Sequence, residues 1–471
     1  MGKYKYLANN IALFTVSNFV SKILVFLLVP FYTNILSTAD YGVGEVFQST
    51  LLLLVPALTL NMGEAALRYG IDKSDRRRDI LHIGMKYVGL SSLLVAIVCI
   101  VASVFFKGDV KNYILIFIFM FMSNCTYEFL ILFFQGCEQV RIVVCGSVFS
   151  TLVLVTSNII FLVFLQTGVY GYFLSQILSF TLAALLMYFL SRKWASFLYK
   201  PVNKDNNTKE FERELLDYSV PIIAYSTGAW INNVSDRYLV SLLKGVAVNG
   251  IYGVAYKIPS ILTVFQRIFA QAWQMSATKV YTDDTSDEFF TTMYKIYNAF
   301  MVMGCAFLIL VVRIVAGFLF RKEFYIAWSL VPPLLISVAF GALTGYLGPI
   351  CLAHKDSKAM GFATGVGALL NVILNLLLIP KYSAMGASVA TAISYFTTYM
   401  IAFFRVKKYV QIKVRRGRDI FSYLLLVVES IIMINDLGPV YIICGVIFII
   451  LLIMYFEEVK DIVLGLLKKV K

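Results

Sequence analysis

Apolar runs of roughly twenty residues or more follow one another along almost the whole chain, each long enough as a helix to cross about 30 Å of bilayer hydrocarbon. They fall near residues 11–36, 43–68, 80–105, 113–136, 140–166, 170–190, 214–240, 249–277, 289–320, 327–353, 358–380, 384–404, 419–435 and 438–456. That amounts to about fourteen spans. Backbone in lipid must satisfy its own hydrogen bonds, so the expected fold class is all-α and polytopic. Composition agrees: of 471 residues, 60% are apolar and 15% aromatic, with a mean hydropathy of +0.80. A soluble domain is nearer to about 45–50% apolar.

The formal charge of +14 is spread in short clusters between the runs instead of on one soluble domain, so nucleic acid is not an expected partner. With the amino terminus inside, Arg76-Arg77-Arg78, the stretch Arg192 to Arg213, the stretch Arg405 to Arg418 and Lys460 to Lys471 all become internal. Roughly 29 Lys and Arg then lie inside against about six outside, which satisfies the positive-inside rule. This orientation predicts an inner-membrane protein with both termini cytoplasmic. The first run follows Lys3 and Lys5 without a small-residue cleavage site and reads as a retained span.

Weak internal similarity points to two six-span halves. Tyr41-Gly42-Val43 recurs as Tyr252-Gly253-Val254, an offset of 211 residues, and Gly171 is answered by Gly386 at a near offset. Six is even, so the halves have parallel topology, a recurrent transporter plan. The expected organisation is an N-terminal lobe over 1–190, a cytoplasmic linker over 191–213, a C-terminal lobe over 214–407, an additional helix pair over 408–456, and an amphipathic tail over 457–471.

Seven cysteines are scattered through the spans without CxxC spacing, and His82 and His354 stand alone. No metal site, triad or nucleotide-binding loop can be assembled from these, so no cofactor is expected. Charges inside the spans are more informative, because each is costly in lipid unless it faces a wet cavity or snorkels. Lys86 and Arg313 lie near helix ends and read as snorkelling side chains; Glu64 and Arg68, four apart, read as a local ion pair. The deeper cations are Lys22, Arg237, Lys257 and Arg267.

If 249–277 is one helix, Lys257, Ser260, Arg267, Gln271, Gln274 and Thr278 form a polar stripe about 100° wide. Ser226, Trp230, Asn233 and Arg237 share a face of the preceding span, as do Thr15, Asn18 and Lys22 in the first. By helical rise, Arg237 lies towards the outer side, Lys22 and Lys257 near mid-depth and Arg267 further inward. Such a ladder suits an anionic head carried by phosphates, with Asn18, Trp230, Asn233, Gln271, Gln274, Trp273 and Tyr256 offering amide hydrogen bonds and stacking surfaces to sugars. For ion coupling, Asp236 is the best-placed carboxylate, with Glu64 behind it.

The run Tyr218-Ser219-Val220-Pro221 leading to Trp230 and Asp236-Arg237-Tyr238, then Gly250-Ile251-Tyr252 through Ala255-Tyr256-Lys257 to Ala272-Trp273, resembles Wzx-type oligosaccharide flippases. These form the polysaccharide transporter branch of the multidrug/oligosaccharidyl-lipid/polysaccharide (MOP) exporter superfamily. Further matches are Val331-Pro332 with Leu334, Asn371 to Asn375, Ile379-Pro380-Lys381 and Gly386-Ala387, so the resemblance runs through span twelve. It implies export of an undecaprenyl-pyrophosphate-linked repeat unit from the inner to the outer leaflet by alternating access, for cell-surface polysaccharide assembly and alongside other assembly proteins. Members with twelve spans are common, and the last pair departs from that pattern.

Two other classes compete. A multidrug antiporter of the same superfamily calls for carboxylates in the cavity, and the first span carries Lys22 and no carboxylate. A glycan polymerase or transferase, the enzyme-class rival, needs a substantial outer loop bearing acids or a nucleophile, and no outer connection exceeds about ten residues by the span placement above. A structural scaffold leaves the deep cations unexplained.

Overall fold

The computed structural model describes residues 26–194, 208–280, 286–354, 356–413, 415–458 and 460. Among them every regular element is helical: α1 (Phe26–Ile35), α2 (Thr38–Leu58), α3 (Met62–Asp72), α4 (Arg77–Phe105), α5 (Asp109–Gly136), α6 (Val140–Asn158), α7 (Gly168–Trp194), α8 (Thr208–Lys244), α9 (Val246–Ala255), α10 (Pro259–Val280), α11 (Ser286–Leu310), α12 (Val312–Leu319), α13 (Val331–Ala353), α14 (Ser357–Val406), α15 (Arg416–Asn435) and α16 (Val440–Met454). Eight helical stretches among the described residues are long and apolar enough to cross a membrane. The chain is an all-α, polytopic membrane protein.

Three of the expected spans are interrupted, two of them with a local cause. Run 43–68 is not one helix. It divides between α2 and α3 at Leu60 and Asn61, which have φ of 52° and 51°; Asn tolerates this left-handed conformation better than most residues, and the Asn61 amide donates to Ser226 Oγ at 3.3 Å. Run 249–277 divides at Tyr256 to Ile258, immediately before Pro259, which has no N–H for a continuing helix and disfavours the helical conformation in the residue before it. The third break lies at residue 311, between α11 and α12.

Runs 358–380 and 384–404 are joined in α14, whose 50 residues break at Ser383, with φ of 55° and ψ of −141°. A straight rod of that length would measure about 75 Å, more than twice a bilayer core. Past the break the backbone comes back against Leu378 so closely that a Cβ on Gly386 would lie 2.5 Å from the Leu378 carbonyl oxygen. Only glycine fits there.

The chain divides into two compact units, Met1–Ile231 and Asn232–Lys471, with the boundary inside α8. In the first unit, Ser37 and Asp40 form a capping box at the start of α2: the Ser37 hydroxyl accepts from the Asp40 backbone at 3.1 Å while the Asp40 carboxylate accepts from the Ser37 backbone at 3.3 Å. Helices α3 and α5 cross at two glycines. A Cβ on Gly136 would sit 2.5 Å from the Ala66 carbonyl oxygen, and one on Gly70 would sit 2.9 Å from the Gly136 carbonyl carbon. The early turns of α8 also pack here, with Phe211 and Leu215 each 1% exposed.

In the second unit, Tyr252 is fully buried and Tyr41 of the first unit is 3% exposed, so each copy of the Tyr-Gly-Val repeat buries its tyrosine, in the first turn of α2 and in the second half of α9. The last helix pair is bonded to its neighbours through buried polar groups. Asn298 of α11 donates to the Tyr455 hydroxyl at 3.1 Å and accepts from Tyr423 of α15 at 2.8 Å. Tyr455 in turn bonds Ser422 at 2.8 Å and Asp419 at 3.1 Å.

Candidate functional site

The second unit holds a buried polar hub built around Asp236 of α8, which is 3% exposed. Its Oδ2 accepts from the Tyr252 hydroxyl of α9 at 2.5 Å and from the Tyr256 hydroxyl at 2.9 Å, with Thr391 Oγ1 of α14 at 3.5 Å. Its Oδ1 accepts from the Arg237 backbone N–H at 2.9 Å. The chain of contacts continues through α14: Asn371 Nδ2 reaches Thr391 Oγ1 at 3.4 Å, and Asn375 donates to Asn371 Oδ1 at 2.9 Å. Asn375 is fully buried, and its own Oδ1 has no hydrogen-bond partner.

One of the expected cations is placed beside this hub. The Arg237 guanidinium lies 5.1 Å from the centroid of the Tyr256 ring, a cation–π distance. Lys257 is the next residue after Tyr256, in the turn between α9 and α10, where its N–H donates to the Val254 carbonyl at 2.9 Å and its carbonyl accepts from Ser260 Oγ at 2.6 Å. The break before Pro259 takes Lys257 off the continuous stripe. Ser260 and Arg267 of α10 are both exposed, but Phe265 and Ile268, 47% and 49% exposed, share that part of the surface. Arg267 is ten residues beyond Lys257, so the structure gathers Asp236, Arg237 and Tyr256, sets Lys257 next to Tyr256 in the chain, and leaves Arg267 further along α10.

Lys22 and Asn18 lie outside the described residues, as do the side chains of Asn233, Gln271 and Gln274. The aromatic expectations change. Trp273 is not a free stacking surface: it is 3% exposed, donates Nε1–H to the Tyr346 carbonyl at 2.8 Å, and stacks on Tyr346 with ring centroids 4.3 Å apart. In the first unit, Trp230 Nε1–H is taken by the Ser49 carbonyl at 2.8 Å. An amphipathic ring in lipid looks the same in sequence whether it anchors a core or meets a ligand.

Three charged expectations are also revised or given partners. Arg68 does not pair with Glu64; it reaches forward to Asp72 at 3.2 Å. Lys86 pairs with Glu212 at 2.8 Å, and Tyr87 donates to the same carboxylate oxygen at 2.7 Å. These bonds, Lys86 first, hold the Glu212 carboxyl below its ordinary range. Arg313 bonds Asp436 at 2.8 Å and the Met433 carbonyl at 2.7 Å, with its guanidinium 4.3 Å from the Trp328 ring centroid. It caps the end of α15.

A groove of about 810 Å³ in the first unit is lined by charges of both signs, among them Lys73, Arg76, Arg213, Glu214 and Asp217. Lys73 is spent on Glu214, at 2.6 and 2.7 Å from its two oxygens. This groove differs in character from the cationic face expected from the sequence. No group of three or more His, Cys, Asp or Glu suited to a metal ion occurs among the described residues.

A polytopic helical membrane protein is the class this fold defines. The structure resembles lipid II flippase MurJ in an inward closed conformation, with a TM-score of 0.67 at 16% identity, over 97% of this chain and 100% of that one. It also resembles an inward-facing multidrug resistance MATE family transporter of the MOP superfamily, with a TM-score of 0.63 at 12% identity, over 82% of this chain and 94% of that one. The chain belongs to the family described as "Polysaccharide biosynthesis protein", which it matches over residues 7–274.

Two curated relatives are archaeal. An uncharacterized membrane protein of Methanocaldococcus jannaschii is 24% identical over 264 residues, 54% of this chain and 62% of the relative. The probable low-salt glycan biosynthesis flippase Agl15 of Haloferax volcanii is 25% identical over 207 residues, 43% of each chain. Both alignments span less than two thirds of the relative's length. The family is that of polysaccharide biosynthesis proteins and the fold is shared with MurJ-like and MATE-like proteins, in line with the resemblance read from the sequence.

Proposed function

We propose that this protein translocates a lipid-(pyro)phosphate-linked oligosaccharide from the cytoplasmic to the outer leaflet by alternating access, with both termini inside. The observation that carries this reading is the placement of Arg237 over Tyr256 at the Asp236–Tyr252–Tyr256 hub, with Lys257 the next residue along the chain, in a chain of the polysaccharide biosynthesis family. Cations held in a membrane-spanning unit are matched to a phosphate head, and Arg267 extends the positive path along α10. MATE-like and MurJ-like folds are shared by exporters of different cargo; the described cations favour an anionic load over an organic cation.

The hub supplies the coupling role. Asp236 Oδ2, Thr391 Oγ1 and the side-chain oxygens of Asn371 and Asn375 are oxygen donors of the kind that hard cations take. A proton or a small monovalent cation taken up at Asp236 would compete with the Tyr252 and Tyr256 hydroxyls for the same carboxylate, linking occupancy to the joint between α9 and α10. Here the ion is cargo and not a resident cofactor.

The test is reconstitution. Wild-type protein in proteoliposomes should move a lipid-pyrophosphate oligosaccharide between leaflets, Arg237→Ala and Arg267→Ala should slow it at equal folded amounts, and Asp236→Asn should abolish its dependence on an ion gradient. Wild type that is inert towards this lipid yet exports organic cations overturns the reading in favour of the antiporter.

A further inference from the structure

Glu429 lies fourteen residues into α15, a helix of 20 residues, and is fully buried. Both of its carboxyl oxygens lack a hydrogen-bond partner. The contacts around it are apolar or weakly polar. Helix α15 packs on α11, α13 and α16; from α11 comes the buried thiol of Cys305, and from α16 that of Cys444, whose Sγ lies 4.0 Å from the Glu429 main-chain carbonyl oxygen.

The other ionisable groups on these elements are committed elsewhere. Tyr346 of α13 donates to the Phe290 carbonyl near the opposite end of α11. Tyr423 of α15 donates to Asn298, and Tyr294 of α11 bonds Tyr399. Asp419 accepts from Tyr455, and Glu458 accepts from Arg418 at the far end of the pair. Arg313, on α12, is held by Asp436 and the Met433 carbonyl. Among the described residues, no ion pair reaches Glu429.

An ionised carboxylate in such a place would have neither water, donor nor counter-ion. The cost of burying it so is several kcal/mol in general, and a group in that position takes up a proton instead. We infer that Glu429 is a proton-binding site in the last helix pair, separate from the Asp236 hub, and that the bound proton is a condition for α15 and α16 to pack on α11. As a neutral acid Glu429 is an ordinary core side chain; as an anion it is incompatible with the observed packing.

The sign of the pH dependence follows. The observed packing accommodates the neutral acid alone, so it should weaken as alkaline conditions remove the proton.

The experiment compares the full-length wild type with Glu429→Gln, which keeps the shape without the acid, and Glu429→Leu, in detergent or nanodiscs. Infrared difference spectra of wild type minus Glu429→Gln at neutral pH should contain the C=O stretch of a protonated carboxylic acid. Thermal unfolding followed from acid to alkaline pH should show an alkaline loss of midpoint in wild type that is reduced in both variants. Carboxylate bands in the neutral-pH difference spectrum, or an alkaline loss of the same size in wild type and both variants, overturn the inference. If Glu429→Gln does not fold, Glu429→Leu decides by the same two readouts.

Discussion

Lys86 of α4 reaches Glu212 of α8 at 2.8 Å across a sequence separation of 126 residues. The lysine is 54% exposed and the glutamate 20%, so the pair is screened, and its worth is that of a surface bridge, about 0.2–1 kcal/mol. A double-mutant cycle on Lys86→Met and Glu212→Gln, read by thermal unfolding, should return a coupling in that range. The Glu212 carboxyl is held low by the Lys86 and Tyr87 bonds, so its contribution is present above the ordinary glutamate pKa of about 4.3 and disappears as pH falls through the lower folded value. The stability difference between wild type and Glu212→Gln should therefore vanish in acid.

Replacing Tyr252 by Phe removes the 2.5 Å donor to Asp236 and leaves Tyr256, the Arg237 main-chain N–H and the longer Thr391 contact to satisfy a buried carboxyl. The expected loss is about 1–3 kcal/mol. Asp236→Asn with Tyr252→Phe should cost less than the sum of the two single changes, because both remove the same bond.

Trp273 and Arg267 sit on the same helix and should fail in opposite ways. Trp273→Phe forfeits the bond to the Tyr346 carbonyl and should lower stability by about 1 kcal/mol while leaving substrate affinity per folded molecule unchanged. Arg267, exposed on α10, should be replaceable by Ala with a stability change within about 0.5 kcal/mol but with reduced translocation.

Arg313→Lys should not substitute for arginine. A single ammonium cannot reproduce the planar fork that bonds both Asp436 and the Met433 carbonyl and lies over Trp328. Faster hydrogen exchange confined to the last turn of α15, with a stability loss of about 1–2 kcal/mol, is the expected outcome.

Spans bounded by polar residues were legible from hydropathy alone: runs 80–105 and 113–136 correspond to Arg77–Phe105 and Asp109–Gly136. Breaks inside apolar stretches were not, because hydropathy does not register a left-handed pair such as Leu60 and Asn61. Pro259 did carry a visible signal, and reading a continuous stripe through it misplaced Lys257. Asp236 stood out as a carboxylate in an apolar helix, but its partners come from the end of α9 and from Thr391 past the break in α14, with Asn371 and Asn375 of the first part bonded on to Thr391. The i, i+4 spacing of Asn371 and Asn375 on an otherwise apolar helix was the one local hint of them. The exchange of Asp72 for Glu64 as partner of Arg68 turned on rotamers, which no spacing rule decides.

The backbone-to-backbone crossing at Gly70 and Gly136 bears on biogenesis. Apolar side chains gain little by leaving lipid for one another, so inserted helices adhere through close main-chain approach and polar bonds. Since α3 and α5 meet main chain to main chain at Gly70 and Gly136, their association can follow insertion without a rotamer being frozen at that point. A bulkier residue at either position would leave each helix able to enter the bilayer and unable to find its neighbour, a defect visible as correctly threaded but unassembled protein marked for degradation.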